Sequence, residues 1–174
     1  MKSPLKTDRL TLRRVRAEDW HAIQRIWVDQ QRSPLAQYDR PNDTGDDAVR
    51  ARIARWAEAA HGDAHVFYAV CLEEAVIGYF AFNARESGYE IGYCFHSAYH
   101  GHGYARESLT ALLRDFAAAG YRHFIAGTAL NNTPSVGLLL SQGFRQTGTE
   151  PVSFYQDAQG RDIVFEGGLF ALDL

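Results

Sequence analysis

Apolar and polar residues alternate along Arg9-Leu10-Thr11-Leu12-Arg13-Arg14, the period of a half-buried strand. The pattern then lengthens to that of a helix from about Ala17 to Val28, with Glu18 and Asp19 in the first turn, where the helix dipole favours acids. Residues 30–44 hold Pro34, Pro41, Asn42 and Asp43, with Gly45 next to them, a loop composition. A second helix follows, with Val49, Ile53, Trp56 and Ala60 on one face and Gly62 at its end. Three strands come next in quick succession, Val66 to Leu72, Val76 to Phe82 and Tyr89 to His96, joined by short polar turns that suit antiparallel hairpins. Leu109, Leu112, Leu113 and Phe116 then recur at helical spacing in a third helix, which begins near Tyr104 and stops at Gly120. The remainder predicts a strand over Arg122 to Thr128, a helix over Thr133 to Gln142, and two strands, Phe144 to Tyr155 and Asp162 to Ala171, joined by a turn at Asp157-Ala158-Gln159-Gly160. The order is mixed α/β, and no internal repeat is visible.

Composition narrows the function classes. The 174 residues fit one domain spanning 1–174, and 46% hydrophobic with 22% charged residues is ordinary globular usage. Eighteen basic residues against twenty-one acidic ones give a net charge of -3 with the basic residues scattered, so the footprint of a nucleic-acid binder is missing. Apolar runs fall short of the roughly 20 residues that span a membrane, and Met1-Lys2-Ser3-Pro4-Leu5-Lys6 has no apolar signal core, which points to the cytoplasm. Cys71 and Cys94 lie inside apolar, strand-like runs and read as buried free thiols, with no metal site.

The chemistry concentrates at His100-Gly101-His102-Gly103-Tyr104-Ala105-Arg106, between a strand and an amphipathic helix. Glycines let the backbone approach an anion closely, and the first N–H groups of the helix point at it with the positive end of the dipole behind them, so a pyrophosphate fits here. A tight turn needing glycine only for its dihedrals is the plainer alternative. A dinucleotide fingerprint would want a third glycine where Arg106 stands, and a P-loop would end in Gly-Lys-Ser/Thr; neither is present.

Together with Tyr89-Glu90-Ile91-Gly92-Tyr93, Asn132-Thr133-Pro134-Ser135 and Gly143-Phe144, this loop resembles the GNAT acetyltransferases. The family's Q/R-x-x-G-x-G/A loop maps on His100 to Ala105, and its N-x-x-S motif on Asn132 and Ser135. The opening Thr7-Asp8-Arg9-Leu10-Thr11-Leu12-Arg13 is similar to that of the branch holding the ribosomal-protein N-terminal alanine and serine acetyltransferases. The resemblance implies a GNAT fold with a mixed, mostly antiparallel central sheet and about four helices. It also implies an acetyl-CoA-dependent N-acetyltransferase acting on a small-molecule amine or a peptide N-terminus, with a homodimer plausible by analogy. By the same likeness, the pantetheine arm would pair with Cys94, Phe95 and His96, the diphosphate would lie on Gly101, His102, Gly103, Tyr104, Ala105 and Arg106, and Asn132 would hold the cofactor arm. His100 stands where Gln or Arg is usual, and His100 and His102 read as exposed polar residues beside the phosphates rather than catalysts.

A neutral amine must attack, so a base is expected. Strand alternation sets Glu90, Gly92, Cys94 and His96 on one face and Tyr89, Ile91, Tyr93 and Phe95 on the other. Glu90 occupies the strand position that often carries the family's general base, with a glutamate merely paired to a cation as the alternative; His96 is a second candidate base. Many relatives protonate the departing thiolate with a tyrosine four residues before the Gly-Phe glycine, but here that position is Leu139. Ser135 stands where a serine is the proposed acid in the ribosomal-protein branch; alternatively its hydroxyl only caps the helix after Asn132. Family folds bind the acceptor between the first two helices and the last hairpin, which offers Trp27, Tyr38, Arg40, Trp56, Phe154 and Tyr155. The rival function in another class is a non-catalytic acyl-CoA-binding regulatory domain.

Overall fold

A computed structural model describes residues 3–59 and 62–174. Met1, Lys2, Ala60 and His61 lie outside the described residues, and with them the first two positions of the N-terminal reading and the Ala60 position of the second helix. The elements in chain order are β1 (Leu5–Lys6), β2 (Leu10–Arg14), α1 (Trp20–Gln31), α2 (Asp46–Ala59), β3 (His65–Leu72), β4 (Ala75–Arg85) and β5 (Gly88–Phe95). They continue as α3 (Tyr104–Ala118), β6 (His123–Ala129), α4 (Thr133–Ser141), β7 (Arg145–Gln156) and β8 (Asp162–Asp173). The strands form one sheet in the order β1-β2-β3-β4-β5-β6-β8-β7, and every pairing is antiparallel except β5 with β6.

The sheet is covered on both faces. Along β3, Val66, Tyr68 and Val70 turn toward α3 and α4, while Phe67, Ala69 and Cys71 turn toward α1 and α2, which is why this strand reads as a continuous apolar run. The α3 stripe of Leu109, Leu112, Leu113 and Phe116 packs into the first layer with Phe82, Tyr89 and Phe124. Ile23, Trp27, Val49 and Ile53 fill the second. Both cysteines are free, with Cys71 buried and Cys94 half-buried. Among the described residues no helix is long and apolar enough to cross a membrane.

The structure departs from the sequence pattern at element ends, each time for a local reason. Strand β1 pairs Leu5 with Leu12 and Lys6 with Thr11, and two residues are too short to show a period. Residues Ala17–Asp19 form a 3-10 turn rather than the start of α1. Asp19 is drawn away to accept two hydrogen bonds from Arg13, both at 2.7 Å, and one from the Arg16 N–H at 2.8 Å. Strand β4 continues past Phe82 because its ladder with β5 runs on through Asn83–Glu90, Ala84–Tyr89 and Arg85–Gly88. His96 has left β5: its ring accepts a hydrogen bond from Ala98 N–H at 3.2 Å and caps the turn Ser97–Tyr99.

Candidate active site

The site begins where β5 and β6 part. They pair only at Tyr89–Phe124 and Glu90–Ile125, and beyond these β6 is bonded solely to β8 on its other side. A wedge-shaped gap therefore opens between Ile91–Phe95 and Ala126–Ala129. His96 N–H bonds across to Ile77 O on β4 at 3.0 Å. By two-residue alternation, Ile91 and Tyr93 present their N–H and C=O groups to the gap instead, and Phe95 its N–H. An extended, amide-bearing arm could pair there as an added strand, and the Phe95 N–H is one donor available to an oxyanion.

At the wide end of the gap sits the glycine loop. Gly101 and Gly103 have φ of 78° and 79°, which side chains rarely adopt, and Gly103 is the N-cap of α3. The first helical hydrogen bond runs from Glu107 N–H to Gly103 O at 3.0 Å, so the N–H groups of Tyr104, Ala105 and Arg106 stand outside the ladder and face a prospective anion. No side chain caps this end. The backbone thus fits a diphosphate.

Side chains from distant elements hold the loop. Arg9 of the loop before β2 donates to His102 O at 3.0 Å, pairs with Glu107 at 2.7 Å and lies over the Tyr104 ring at 4.6 Å. Thr7 Oγ1 donates to the same Glu107 carboxylate at 2.5 Å. On the other side, Asp29 at the end of α1 accepts from both the N–H and the hydroxyl of Ser97, each at 2.7 Å, and lies 3.8 Å from His96. His100 is exposed, as read from sequence, and is in addition tied back to the strand, its Nε2 bonding Phe95 O at 2.9 Å. A carbonyl only accepts, so Nε2 carries the proton.

These anchors make the loop acid-sensitive. For Glu107 partial burial favours the neutral acid, but hydrogen bonds from Thr7 and Arg9 outweigh it and hold the carboxyl below its ordinary range; for Asp29 burial is likewise outweighed, by Ser97. A carboxylate with a lowered folded pKa contributes stability above its unfolded pKa and loses it as pH falls through the folded one. The stability difference between wild type and Glu107→Gln, measured by urea denaturation, should therefore be full at about pH 7 and shrink toward about pH 3. A difference that does not change with pH would mean the pair contributes nothing through ionisation.

Glu90 lies at the closed end of the gap, on the face of α1 and α2. It forms an ion pair with Arg85 of β4, and both side chains remain substantially exposed. Cys94, on the same face, has its thiol pushed up to about 12, first by burial and then by the charges of Asp39 and Asp29, so it is a packing group rather than a nucleophile. Asn132 caps α4, its Oδ1 accepting from Ser135 N–H at 3.3 Å. Ser135 Oγ is therefore not the cap; it meets the Tyr93 hydroxyl at 2.7 Å. Leu139 is fully buried in the core.

The expected acceptor residues divide. Trp27 is fully buried and donates from Nε1 to Tyr79 Oη at 2.9 Å, and Trp56 stacks on Phe67 at 4.3 Å, so both are wall. Tyr38 instead meets Phe165 of β8 edge-on at 5.3 Å and receives a hydrogen bond from Asn131 at 3.4 Å, while Arg40 lies over Phe154 of β7 at 5.6 Å. The loop after α1 thus leans on the last hairpin and roofs the α1/α2 side of the gap. Asp39 lies in this loop, its carboxyl raised by its crowded surroundings despite hydrogen bonds from Arg40 N–H and Gln30. Sequence reasoning missed Asp29, Asp39 and Phe165 as parts of the site, and placed Arg9 and Tyr93 in motifs without a role. Only Arg9 carried a signal, its place in the opening T-x-R-L-x-L-R strand.

Comparison with known proteins agrees with this geometry. The model of the "Acetyltransferase (GNAT) domain" matches residues 9–145. An uncharacterized N-acetyltransferase, p20, of Bacillus licheniformis is 30% identical over 165 residues, covering 91% of this chain and 90% of its own. The ribosomal-protein-S5-alanine acetyltransferase from Vibrio fischeri superposes with a TM-score of 0.81 at 17% identity, covering 99% of this chain and 97% of that one. A ribosomal L7/L12 alpha-N-protein acetyltransferase in complex with coenzyme A gives a TM-score of 0.83 at 18% identity, covering 99% and 98%. At such identities the structures share the fold. The chain belongs to the GNAT acetyltransferase family and is an acyltransferase.

Proposed function

We propose that residues 1–174 act as one cytoplasmic catalytic domain that binds acetyl-CoA and passes its acetyl group directly to a primary amine, of a peptide N-terminus or a small molecule. The observation that carries the reading is the junction of the β5–β6 gap with the positive-φ glycines and free N–H groups of α3. The diphosphate lies on residues 101–106, and the pantetheine arm runs along the open edge of β5 by Cys94, Phe95 and His96, past Asn132. The thioester then sits in the gap with its carbonyl oxygen near the Phe95 N–H. Two relatives of the same fold, named for S5-alanine and L7/L12 acetylation, favour a protein N-terminus among the possible amines.

The amine enters from the side of α1 and α2 and loses its proton to Glu90 through intervening water, since Glu90 lies five strand residues from Phe95, while Arg85 keeps the carboxylate oriented. Glu90→Gln should lower kcat by about 100-fold near pH 7 with KM for acetyl-CoA unchanged, and the loss should shrink at high pH, where amines deprotonate without help. An unchanged kcat would leave Glu90 as no more than the partner of Arg85.

A further inference from the structure

Four β5 side chains face α3 and α4. Tyr89, Ile91 and Phe95 are buried in the core, whereas Tyr93 is half-buried and its hydroxyl ends on Ser135 Oγ at 2.7 Å. That bond joins one wall of the gap to the first turn of α4, the helix that follows the other wall. It differs in kind from the Trp27–Tyr79 contact on the opposite face, where an indole can only donate and the proton has nowhere to go. Between two hydroxyls either oxygen can be the donor, so a proton can pass along the pair. The Ser135 N–H is already satisfied by Asn132, leaving the Ser135 hydroxyl free of capping duty. Leu139, one turn further along α4, offers no donor.

Building on the acetyl-CoA reading above, we propose that Tyr93 is a positioning residue for acetyl transfer, acting through Ser135 to supply a proton to the sulfur that leaves when the thioester breaks. The bond from amine nitrogen to acetyl carbon forms, the carbon–sulfur bond breaks, and its electron pair goes to sulfur. The surplus amine proton leaves to the base. Sulfur takes the Ser135 hydroxyl proton, Ser135 takes that of Tyr93, and the phenolate recovers a proton from water as products depart, so amine and thioester become amide and thiol.

The surroundings suit this role. Burial pushes the Tyr93 hydroxyl up to about 12, partly offset by Ser135, which keeps it protonated throughout the physiological range. A thiolate expelled into a desolvated gap is disfavoured without a donor.

The test uses coenzyme A as the probe and needs no acceptor. Wild type, Tyr93→Phe and Ser135→Ala are titrated with coenzyme A by calorimetry. Bound coenzyme A, with protein in excess, is then alkylated by iodoacetamide across a pH series and the adduct is quantified by mass. Phenylalanine keeps the ring that packs against Phe80 at 5.5 Å, so folding and coenzyme affinity should be preserved. A hydroxyl pair donating to sulfur stabilises thiolate, so the alkylation midpoint should rise by about one pH unit in both variants. A Tyr93→Phe midpoint equal to wild type, at equal affinity, overturns the role of Tyr93 and leaves the acetyl-CoA reading standing. No coenzyme A binding by wild type would overturn that reading and this inference with it.

Discussion

Gly103→Val should lower the affinity for acetyl-CoA by at least about 10-fold, read by calorimetry. The position has φ 79° and is the N-cap of α3, while a Cβ there would meet only Arg9 Nη2, at 3.6 Å. Crowding is therefore minor, and the penalty is in the backbone. A residue with a Cβ loses roughly 1–2 kcal/mol in this left-handed conformation, and a β-branched one is the worst case. The chain can relieve that strain only by rotating the peptide planes whose N–H groups face the diphosphate. Either way about one factor of ten or more in binding is lost, since 1.4 kcal/mol is tenfold. Gly137→Ala on α4, where a Cβ meets nothing within 4 Å and φ is helical, is the control and should leave affinity unchanged. Equal affinity of Gly103→Val and wild type would place the coenzyme elsewhere.

Phe116→Ala is expected to give the largest loss of stability. Phe116 is fully buried and stacks on Phe82 at 4.2 Å, with Tyr89 edge-on at 5.0 Å and Phe124 and Tyr121 both at 6.0 Å. Its ring touches residues of β4, β5 and β6 at once. Truncating such a ring typically costs about 3–5 kcal/mol, or roughly 10 °C in Tm for a chain of this length. The ring lies more than three turns along α3 from Gly103, about 20 Å away. Coenzyme affinity of the folded variant should thus stay within a few-fold of wild type. A Tm shift of only a degree or two would mean that the aromatic cluster repacks around the void.

The difference between these two positions reflects what a sequence shows. The α3 stripe was legible because Leu109, Leu112, Leu113 and Phe116 repeat at helical spacing, and all four are core. The glycine loop was legible because its chemistry is local: Gly101, Gly103 and the helix start are contiguous. The mixed α/β order was legible from the patterns themselves, and the GNAT fold with its mostly antiparallel sheet came from the resemblance of the motifs to that family. What could not be read depends on which strands meet. Nothing in Asp29 marks it as the anchor of Ser97, 68 residues away. The Glu107 carboxylate is held from Thr7 and Arg9, about a hundred residues back, so its role exists only once β2 lies beside α3. Alternation correctly assigned Tyr93 to the face opposite Glu90, yet not to Ser135, because the position of α4 against that face is a property of the tertiary fold. His100 is exposed as expected, but its bond to Phe95 O was not legible for the same reason, since it depends on how the chain turns back on the end of the strand.

Acetyl transfer itself is tested most directly by incubating the protein with acetyl-CoA and a panel of peptide N-termini, polyamines and aminoglycosides, measuring free thiol and acceptor mass together. The account predicts saturable thiol release matched one for one by an acetyl group on the amine nitrogen of at least one acceptor. Bound acetyl-CoA with no thiol release across the whole panel would contradict it and make the chain an acyl-CoA-binding regulatory domain.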